Sequence, residues 1–192
     1  MGNIVYEVVQ ADEIEQCRDL CNALMVFQKS KATFHPECFD WMNFDSRMKK
    51  SFLSTPDSHV VVAKDNGIPV GYVFSTIERI SDGDKSYIPD WAPKKTSDDY
   101  QGFYPDWDVL PARCGCLNNL YLKESHRGQG IASQLFDMTM AWMTSFKDVD
   151  VVFVYVSNGN ANALDFYLKH GFVYSHEVFG GFIQAAYYNQ AI

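Results

Sequence analysis

The chain has 192 residues, 47% hydrophobic and 21% charged, which is typical of one globular domain. No run of about eighteen apolar residues is present, which argues against a transmembrane helix, and no basic stretch precedes an apolar segment, so we expect a cytoplasmic protein without a leader. The net charge of −8 argues against a nucleic-acid partner, and five cysteines, an odd number, argue against a disulfide framework.

Apolar residues recur with helical or strand periodicity through most of the chain, and turn residues separate the segments. The run Asp65-Asn66-Gly67 is a strong signal for a hairpin between two strands. The elements predicted before residue 81 are strand Ile4–Val9, helix Asp12–Phe27, helix Glu37–Leu53, strand His59–Lys64 and strand Pro69–Ile80. The first part of the chain therefore has the predicted order β-α-α-β-β.

The segment from about residue 81 to residue 113 is an insertion too long for an ordinary loop. Its aromatic content argues against disorder. The carboxylates are Asp82, Asp84, Asp90, Asp98, Asp99, Asp106 and Asp108, and the aromatic residues are Tyr87, Trp91, Tyr100, Phe103, Tyr104 and Trp107. Two interpretations stay open. The segment is either a lid that closes over an amine through cation–π and charge contacts, or a packing element or dimer surface that covers the core.

A strand-turn-helix unit after the insertion contains the first motif with chemical meaning. Strand Leu117–Leu122 leads into His126-Arg127-Gly128-Gln129-Gly130-Ile131-Ala132, and helical periodicity begins at Ile131. Unpaired N–H groups and the helix dipole suit such a helix start to a phosphate or pyrophosphate, and glycines let the ligand approach the amides. The Walker pattern is excluded because Ile131 follows Gly130, and the dinucleotide pattern because Ser133 stands where it needs glycine.

A second motif follows strand Val151–Val156, whose nearly continuous apolar run is typical of a central strand. Helical periodicity spans residues 160–170, and Gly171 lies where a helix C-cap is expected. The last two strands, Phe172–Val178 and Phe182–Tyr188, form a predicted hairpin around Gly180-Gly181. The second part of the chain therefore has the predicted order β-α-β-α-β-β.

The two motifs together resemble the signatures of the GCN5-related N-acetyltransferases, the GNAT family. The acetyl-coenzyme A signature Gln/Arg-x-x-Gly-x-Gly/Ala is matched by Arg127, Gly130 and Ala132. The signature Asn-x-x-Ala-x-x-Phe-Tyr-x-x-x-Gly-Phe is matched by Asn160, Ala163, Phe166, Tyr167, Gly171 and Phe172. The resemblance covers about residues 114–175. It implies an α/β fold of the α+β type, with a mixed, mostly antiparallel central sheet, helices on both faces and a splayed parallel strand pair that holds acetyl-CoA. Residues 1–192 would then form one acetyltransferase domain.

The same resemblance implies roles for individual residues. Tyr167 matches the general acid that protonates the leaving thiolate, and the backbone N–H of Leu122 matches the group that polarises the thioester carbonyl. Asn160 matches the residue that anchors the pantetheine arm, with helix N-capping as an alternative role. The implied acetyl-CoA contacts are Leu120, Tyr121, Leu122, Arg127, Gly128, Gln129, Gly130, Ile131, Ala132, Ser133, Asn160, Ala163 and Tyr167.

The sequence does not assign the general base. Counting by twos along the strand from Leu120 predicts that Asn118 and Cys116 share its face, and Asn118 is the predicted catalytic residue that orients a water or the amine. Glu124 lies beyond the strand and is expected to face solvent, so the alternatives that stay open are His176, Glu177, an aspartate of the insertion and a chain of water molecules.

The predicted function is transfer of an acetyl group from acetyl-CoA to the primary amine of a small cationic molecule, by direct attack in a ternary complex. The acidic net charge suits such an acceptor. Two alternatives stay open: a CoA-binding regulatory or interaction module without turnover, and an acetyltransferase for a protein N-terminus or lysine. No metal site is predicted, and a homodimer accords with the habit of the family.

Overall fold

The structure is a computed structural model that describes residues 3–95 and 100–189. Within these residues, one sheet contains seven strands in the order β1-β2-β3-β4-β5-β7-β6. The strands are β1 (Ile4–Val8), β2 (Ser58–Asp65), β3 (Ile68–Arg79), β4 (Arg113–Leu122), β5 (Val151–Ser157), β6 (Val173–Val178) and β7 (Ile183–Asn189). Neighbouring strands are antiparallel except β4 and β5, which are parallel. This topology confirms the predicted mixed, mostly antiparallel sheet.

Helices cover both faces of the sheet. They are α1 (Arg18–Lys31), α2 (Lys50–Ser54), α3 (Ile131–Thr144) and α4 (Ala161–Lys169). Alternate residues of β2 separate two cores, because Val60 and Val62 pack with α1 while Val61 and Ala63 pack with α3 and α4. The predicted placement of helices on both faces is confirmed. In the described ranges, no helix is both long enough and apolar enough to cross a membrane.

The turn and cap predictions are confirmed where they depend on a few adjacent residues. Asn66 (φ 49°) and Gly67 (φ 82°) form the hairpin turn between β2 and β3. Gly171 (φ 89°) lies just after α4, as expected of a C-cap. The helix predicted over Asp12–Phe27 begins as a 3₁₀ turn (Ala11–Cys17) and continues as α1.

The prediction of one helix over Glu37–Leu53 is wrong. Asn43 interrupts it, because its backbone is extended and its side chain accepts hydrogen bonds from the N–H groups of Asp45 (3.0 Å) and Ser46 (3.1 Å) in an N-cap arrangement. The chain instead forms a 3₁₀ turn (Pro36–Phe39), a π-helical turn (Phe44–Lys49) and then α2.

The parallel strands β4 and β5 separate after a short paired segment. Residues 115–117 of β4 pair with residues 152–154 of β5, and no further pairing between the two strands is present in the described residues. β3 continues to pair with β4 as far as Leu122, and β7 continues to pair with β5 as far as Ser157. The outer pairings therefore stay intact while a gap opens in the middle of the sheet, which confirms the splayed strand pair.

A β-bulge at Asn118 changes which face the side chains of β4 occupy. Ser75 of β3 pairs with Leu117 and the preceding Phe74 pairs with Asn119, so Asn118 is the extra residue. Leu117 and Leu120 both pack in the core beneath α3 and α4. Cys116 and Asn118 contact each other on the opposite face, with Sγ and Oδ1 3.5 Å apart. The prediction that Leu120 shares a face with Asn118 and Cys116 is therefore wrong, because the bulge interrupts the alternation.

The insertion packs aromatic side chains against the sheet. The ring of Trp107 lies 5.9 Å from that of Phe153 and 5.2 Å from that of Tyr187. The ring of Phe103 lies 4.9 Å from that of Phe179, in the loop between β6 and β7. These edge and tilted contacts are of the kind that stabilises buried aromatic clusters. The described part of the insertion therefore covers the α1 face of β5 and β7.

The turn between β5 and α4 is tied to the end of α1. Asn158 is buried, and its side-chain Oδ1 accepts hydrogen bonds from the N–H groups of Thr33 (2.7 Å) and Phe34 (3.2 Å). Gly159 follows with φ 76°, and a Cβ there would lie 1.9 Å from the carbonyl oxygen of Lys31, so only glycine fits. These contacts fix the start of α4 against α1.

Candidate active site

A cavity of about 430 Å³, the β4–β5 cavity, lies at the separated ends of these strands, beside the starts of α3 and α4. It is lined by Leu24, Phe27, Leu120, Tyr121, Leu122, Arg127, Gly128, Gly130, Ile131, Ala132, Ser133, Asn160, Asn162, Ala163, Phe166 and Tyr167. The structure thus brings together every predicted acetyl-CoA contact except Gln129, whose exposed side chain donates to the carbonyl of Ser125 (3.4 Å). Sequence reasoning missed Leu24 and Phe27, which α1 contributes from far away in the chain.

The glycine turn before α3 has the geometry of an anion cradle. Gly128 and Gly130 have φ 73° and 78°, and a Cβ at either position would have no atom within 4 Å. α3 begins at Ile131, so its first N–H groups have no intrahelical acceptor and carry the positive end of the helix dipole. The open space over the glycines lets a phosphate oxygen approach these amides.

Arg127 adds a positive charge at this end of the cavity. Its Nε donates to the carbonyl of Leu122 (3.3 Å), and its guanidinium lies 5.2 Å from the ring centroid of Phe27. No carboxylate of the described residues forms an ion pair with it. Its charge therefore stays available to a phosphate.

Asn160 and Tyr167 also line the β4–β5 cavity. The side chain of Asn160 makes no capping hydrogen bond at the start of α4, so the capping alternative is not realised. Tyr167 is buried on α4, and its hydroxyl makes no hydrogen bond to a described residue. Burial, together with the nearby Cys116 thiol, raises the pKa of Tyr167 above its ordinary value. The phenol therefore keeps its proton at neutral pH.

A second cavity of about 250 Å³, the aromatic cavity, lies on the α1 face of the sheet. Its walls come from the segment after α1 and from the insertion, and the rings of Trp41 and Trp91 lie 6.0 Å apart where these two walls meet. The aromatic residues of the lining are Phe39, Trp41, Trp91, Phe103, Tyr104, Phe153, Tyr155 and Phe182. The described part of the insertion therefore packs on the core and also lines this cavity.

Two polar side chains of the aromatic cavity, Asn118 and Glu78, form a hydrogen-bonded row with the buried Thr76. Asn118 Nδ2 donates to Thr76 Oγ1 (2.9 Å), and Thr76 Oγ1 donates to Glu78 Oε1 (2.8 Å). Cys116 lies beside this row; burial, then the charge of Glu78, raises its pKa well above the ordinary value, while the charge of Arg47 acts in the opposite direction. Among the described residues, Glu78 is the one carboxylate of the lining and Arg47 its one guanidinium.

Most of the sequence candidates for the base lie elsewhere. His176 contacts the carbonyl of Gly102 through Nε2 (2.9 Å), and neither it nor Glu177 or Glu124 lines the aromatic cavity. The same is true of the aspartates of the insertion that the structure describes, while Asp98 and Asp99 lie outside the described residues. The described residues contain no group of three or more His, Cys, Asp or Glu side chains able to hold a metal ion.

Sequence reasoning missed Glu78. The sequence feature that could have indicated it is a carboxylate at the end of the apolar strand β3. Glu78 reaches the cavity, however, because it pairs with Cys114 of β4, and that pairing is not visible in the sequence.

The two cavities meet in the gap between β4 and β5. A small cavity of about 40 Å³ there shares Asn118, Tyr155 and Ser157 with the aromatic cavity, and Leu120 and Tyr167 with the β4–β5 cavity. The two larger cavities therefore border the same gap from its two sides.

Two buried polar atoms also border the gap without a hydrogen-bond partner, Asn119 Oδ1 and Ser157 Oγ. Buried polar atoms without partners are rare in folded proteins and are consistent with a ligand site.

The sequence profile of the acetyltransferase (GNAT) family matches residues 21–172, which is most of the chain. The chain belongs to the GNAT acetyltransferase family. A comparison of this chain with curated proteins finds no match. Solved structures with a similar fold include the PaiA N-acetyltransferase from Thermoplasma acidophilum in complex with coenzyme A, at 13% identity and TM-score 0.65 over 97% of this chain and 99% of that one.

Two further similar structures are a GNAT acetyltransferase from Streptococcus pneumoniae and Arabidopsis thaliana NAA60 in complex with a bisubstrate analogue. The first has 13% identity and TM-score 0.61 over 97% of this chain and 99% of that one. The second has 15% identity and TM-score 0.56 over 96% of this chain and 95% of that one. These likenesses confirm the fold.

The acetyltransferase uses acetyl-CoA as its acyl donor, as its family does. The β4–β5 cavity fits this molecule by its own features: the open glycine cradle, the unpaired N–H groups at the start of α3 and the unpaired charge of Arg127.

Proposed function

We propose that the acetyltransferase moves the acetyl group of acetyl-CoA to the primary amine of a small molecule bound in the aromatic cavity, by direct attack within a ternary complex. The observation that carries this proposal is the gap between β4 and β5, where a small cavity shares lining residues with both larger cavities. The acceptor arrives as a cationic ammonium ion, which suits the carboxylate of Glu78 and the surrounding aromatic rings.

The β4–β5 cavity supplies the donor contacts in this proposal. The first N–H groups of α3 and the guanidinium of Arg127 hold the pyrophosphate. The side chain of Asn160, which makes no capping hydrogen bond, binds the pantetheine arm. Acetyl-CoA supplies a thioester, an electrophilic carbonyl with a thiolate leaving group.

The backbone of β4 directs N–H groups into the gap. Lys123 N–H donates to the carbonyl of Val70 on β3 (2.9 Å), and N–H directions alternate along an antiparallel strand. The N–H of Leu122 therefore points toward the edge that β5 has left, which supports its proposed role in polarising a carbonyl.

Two side chains handle the protons in the proposed reaction. Glu78 accepts the proton that the ammonium ion loses to become a neutral amine, and Asn118, which donates a hydrogen bond to the Thr76 hydroxyl, orients that amine at the gap. Tyr167 lies on the donor side of the gap with its phenol protonated; it donates that proton to the departing sulfur and regains the second proton that the nitrogen loses as the amide forms.

Cys116 is the nucleophile that a covalent mechanism would use, because it lines the aromatic cavity. Its raised pKa keeps it a thiol, which is a poor nucleophile, and this favours direct attack. Initial velocities measured by CoA thiol release, with both substrates varied, should give intersecting lines for wild type. The Cys116→Ser variant should retain turnover. Parallel lines together with loss of turnover in this variant would indicate an acyl-enzyme and contradict the proposal.

A panel of amines tests the proposal against its competitors. Polyamines, aminoglycosides, amino acids and peptides are offered with acetyl-CoA, and Glu78→Gln should lower kcat on the order of 10²–10⁴-fold at neutral pH. Glu177→Gln, a carboxylate outside the aromatic cavity, is the matched control and should leave kcat unchanged. Acetyl-CoA binding without acetylation of any amine would favour a binding module. Acetylation of peptides alone would favour the protein N-terminus or lysine as acceptor.

A further inference from the structure

Two charged side chains of opposite sign line the aromatic cavity and have no ion-pair partner in the described residues. Arg47 lies on the π-helical turn Phe44–Lys49, and Glu78 lies near the end of β3. Both are half-buried. A charge in a partly apolar site costs free energy unless a ligand or solvent compensates it, so each side chain is a candidate contact for a group of opposite charge.

Two other charged residues of the same turn, unlike Arg47, form salt bridges. Asp45 forms a salt bridge with Arg18 of α1 (2.7 Å), and Lys49 forms one with Glu15. These pairs hold the π-helical turn on α1 and on the 3₁₀ turn Ala11–Cys17 that precedes α1, and Arg47 takes no part in either pair. Its guanidinium is left to the cavity, where it can bind a carboxylate through two parallel hydrogen bonds.

The remaining lining limits what the acceptor can be. Eight of the lining side chains are aromatic, so the body of the ligand between its charges is apolar or aromatic. The cavity volume of about 250 Å³ lies just below the range of roughly 300–1,000 Å³ typical of drug-sized ligands. A molecule with several ammonium groups would place positive charge near Arg47, which disfavours it.

We infer that the acceptor is a small amine that also carries a carboxylate on an apolar or aromatic body, with the carboxylate at Arg47 and the amine on the side of Glu78 and Asn118. This inference rests on the proposed function, since it names the acceptor class for the same site. Free amino acids with large apolar side chains have this chemistry. Polyamines and aminoglycosides do not.

Three matched probes isolate the carboxylate: L-phenylalanine, L-phenylalaninamide and phenethylamine share one ring and one amine. L-tryptophan and L-methionine, with their amides, extend the series to other apolar bodies. We expect kcat/KM for the amino acids to exceed that of the amides and amines on the order of 10- to 100-fold, the range for one charge-assisted hydrogen bond. Spermidine and an aminoglycoside should be poorer acceptors than the best amino acid.

Variants of Arg47 test the assigned contact. Arg47→Met should raise KM for the amino acids and abolish the preference over phenethylamine, and Arg47→Lys should restore part of it. Lys50→Met removes an exposed positive charge three residues along and is the control, which should leave the preference unchanged. Thermal unfolding of Arg47→Met should match wild type, because Arg47 has no ion-pair partner to lose. Equal use of amino acid and decarboxylated amine by wild type, or a preference that survives in Arg47→Met, would overturn the inference.

Calorimetry separates this inference from the proposed function. The three amino acids are titrated into wild type and Arg47→Met, each saturated with CoA. Binding of an amino acid that weakens in Arg47→Met, without acetylation of any amine, would refute the proposed function and support the inferred ligand class. Acetylation of polyamines in preference to amino acids would support the proposed function and overturn the inference. Absence of both binding and turnover for all three amino acids would also overturn it.

Discussion

Replacement of Tyr167 by Phe removes one oxygen atom from the β4–β5 cavity and leaves the packing in place. The Tyr167 ring lies 5.4 Å from Phe166, 5.6 Å from Phe172 and 6.3 Å from Phe136, and a Phe ring keeps these contacts. Because the hydroxyl makes no hydrogen bond to a described residue, its removal costs no intramolecular hydrogen bond. We therefore expect the free energy of unfolding to change by less than about 1 kcal/mol.

The effect of Tyr167→Phe on catalysis should be much larger than its effect on stability. The substitution removes the proposed donor of the proton to the thiolate, and a positioned general acid contributes about 10²–10⁴-fold to the rate, or roughly 3–5 kcal/mol. Because burial raises the pKa of Tyr167 above its ordinary value of 10.0, the phenol stays protonated below that pH and should cause no loss of rate between pH 7 and 9.

The assay for Tyr167→Phe is CoA thiol release under saturating acetyl-CoA, with acetyl-CoA affinity measured separately by calorimetry. Tyr174→Phe is the matched control, because Tyr174 lies on β6, is 42% exposed and does not line the β4–β5 cavity. We expect kcat to fall only for Tyr167→Phe, with acetyl-CoA affinity unchanged. An unchanged kcat would remove Tyr167 from the mechanism, and an equal loss in both variants would show that the effect is not specific to the site.

Three further predictions concern the cradle, the fold and pH. Gly130→Asp places a strained residue and a negative charge at the start of α3, so calorimetry should detect no acetyl-CoA binding; retained tight binding would show that the phosphates bind elsewhere. Asn158→Ala leaves the N–H groups of Thr33 and Phe34 without their acceptor, so denaturant unfolding should show a loss on the order of 3 kcal/mol, and a loss below about 1 kcal/mol would contradict this account. Burial lowers the pKa of His59 below its ordinary value of 6.5, so His59 contributes stability that is present above pH 6.5 and is lost as pH falls. His59→Gln should therefore lose less stability than wild type between pH 7 and 5, and equal losses in denaturant titrations would refute this contribution.

Features that depend on residues close together in the chain could be predicted from the sequence. The glycine turn before α3 and the β2–β3 hairpin have the geometry expected, because a positive φ at glycine or Asn is a local requirement. The break at Asn43 is also local, and its capping residue type was the signal that could have identified it.

Features that depend on pairing between distant segments could not be predicted. The bulge at Asn118 arises because the register between β3 and β4 shifts at Phe74 and Ser75, and single-strand periodicity contains no information on that register. Glu78 becomes a site residue for the same reason: its strand pairs with β4, so its carboxylate lies at the cavity. The two walls around Trp41 and Trp91 likewise come from segments that only the tertiary fold brings together.

β4 and β5 pair only over residues 115–117 and 152–154. Beyond these residues, β4 therefore has an unpaired edge in the middle of the sheet. Past the bulge, the backbone of β4 presents N–H groups to a space where a neighbouring strand would ordinarily satisfy them. A donor molecule that carries amide groups along an extended arm can occupy that place as a short strand would, in the manner of a peptide that extends a sheet. We therefore expect donor recognition to resemble strand completion, with the backbone of β4 as the donor of hydrogen bonds, while side chains such as Leu120 and Leu122 keep the strand packed on the core.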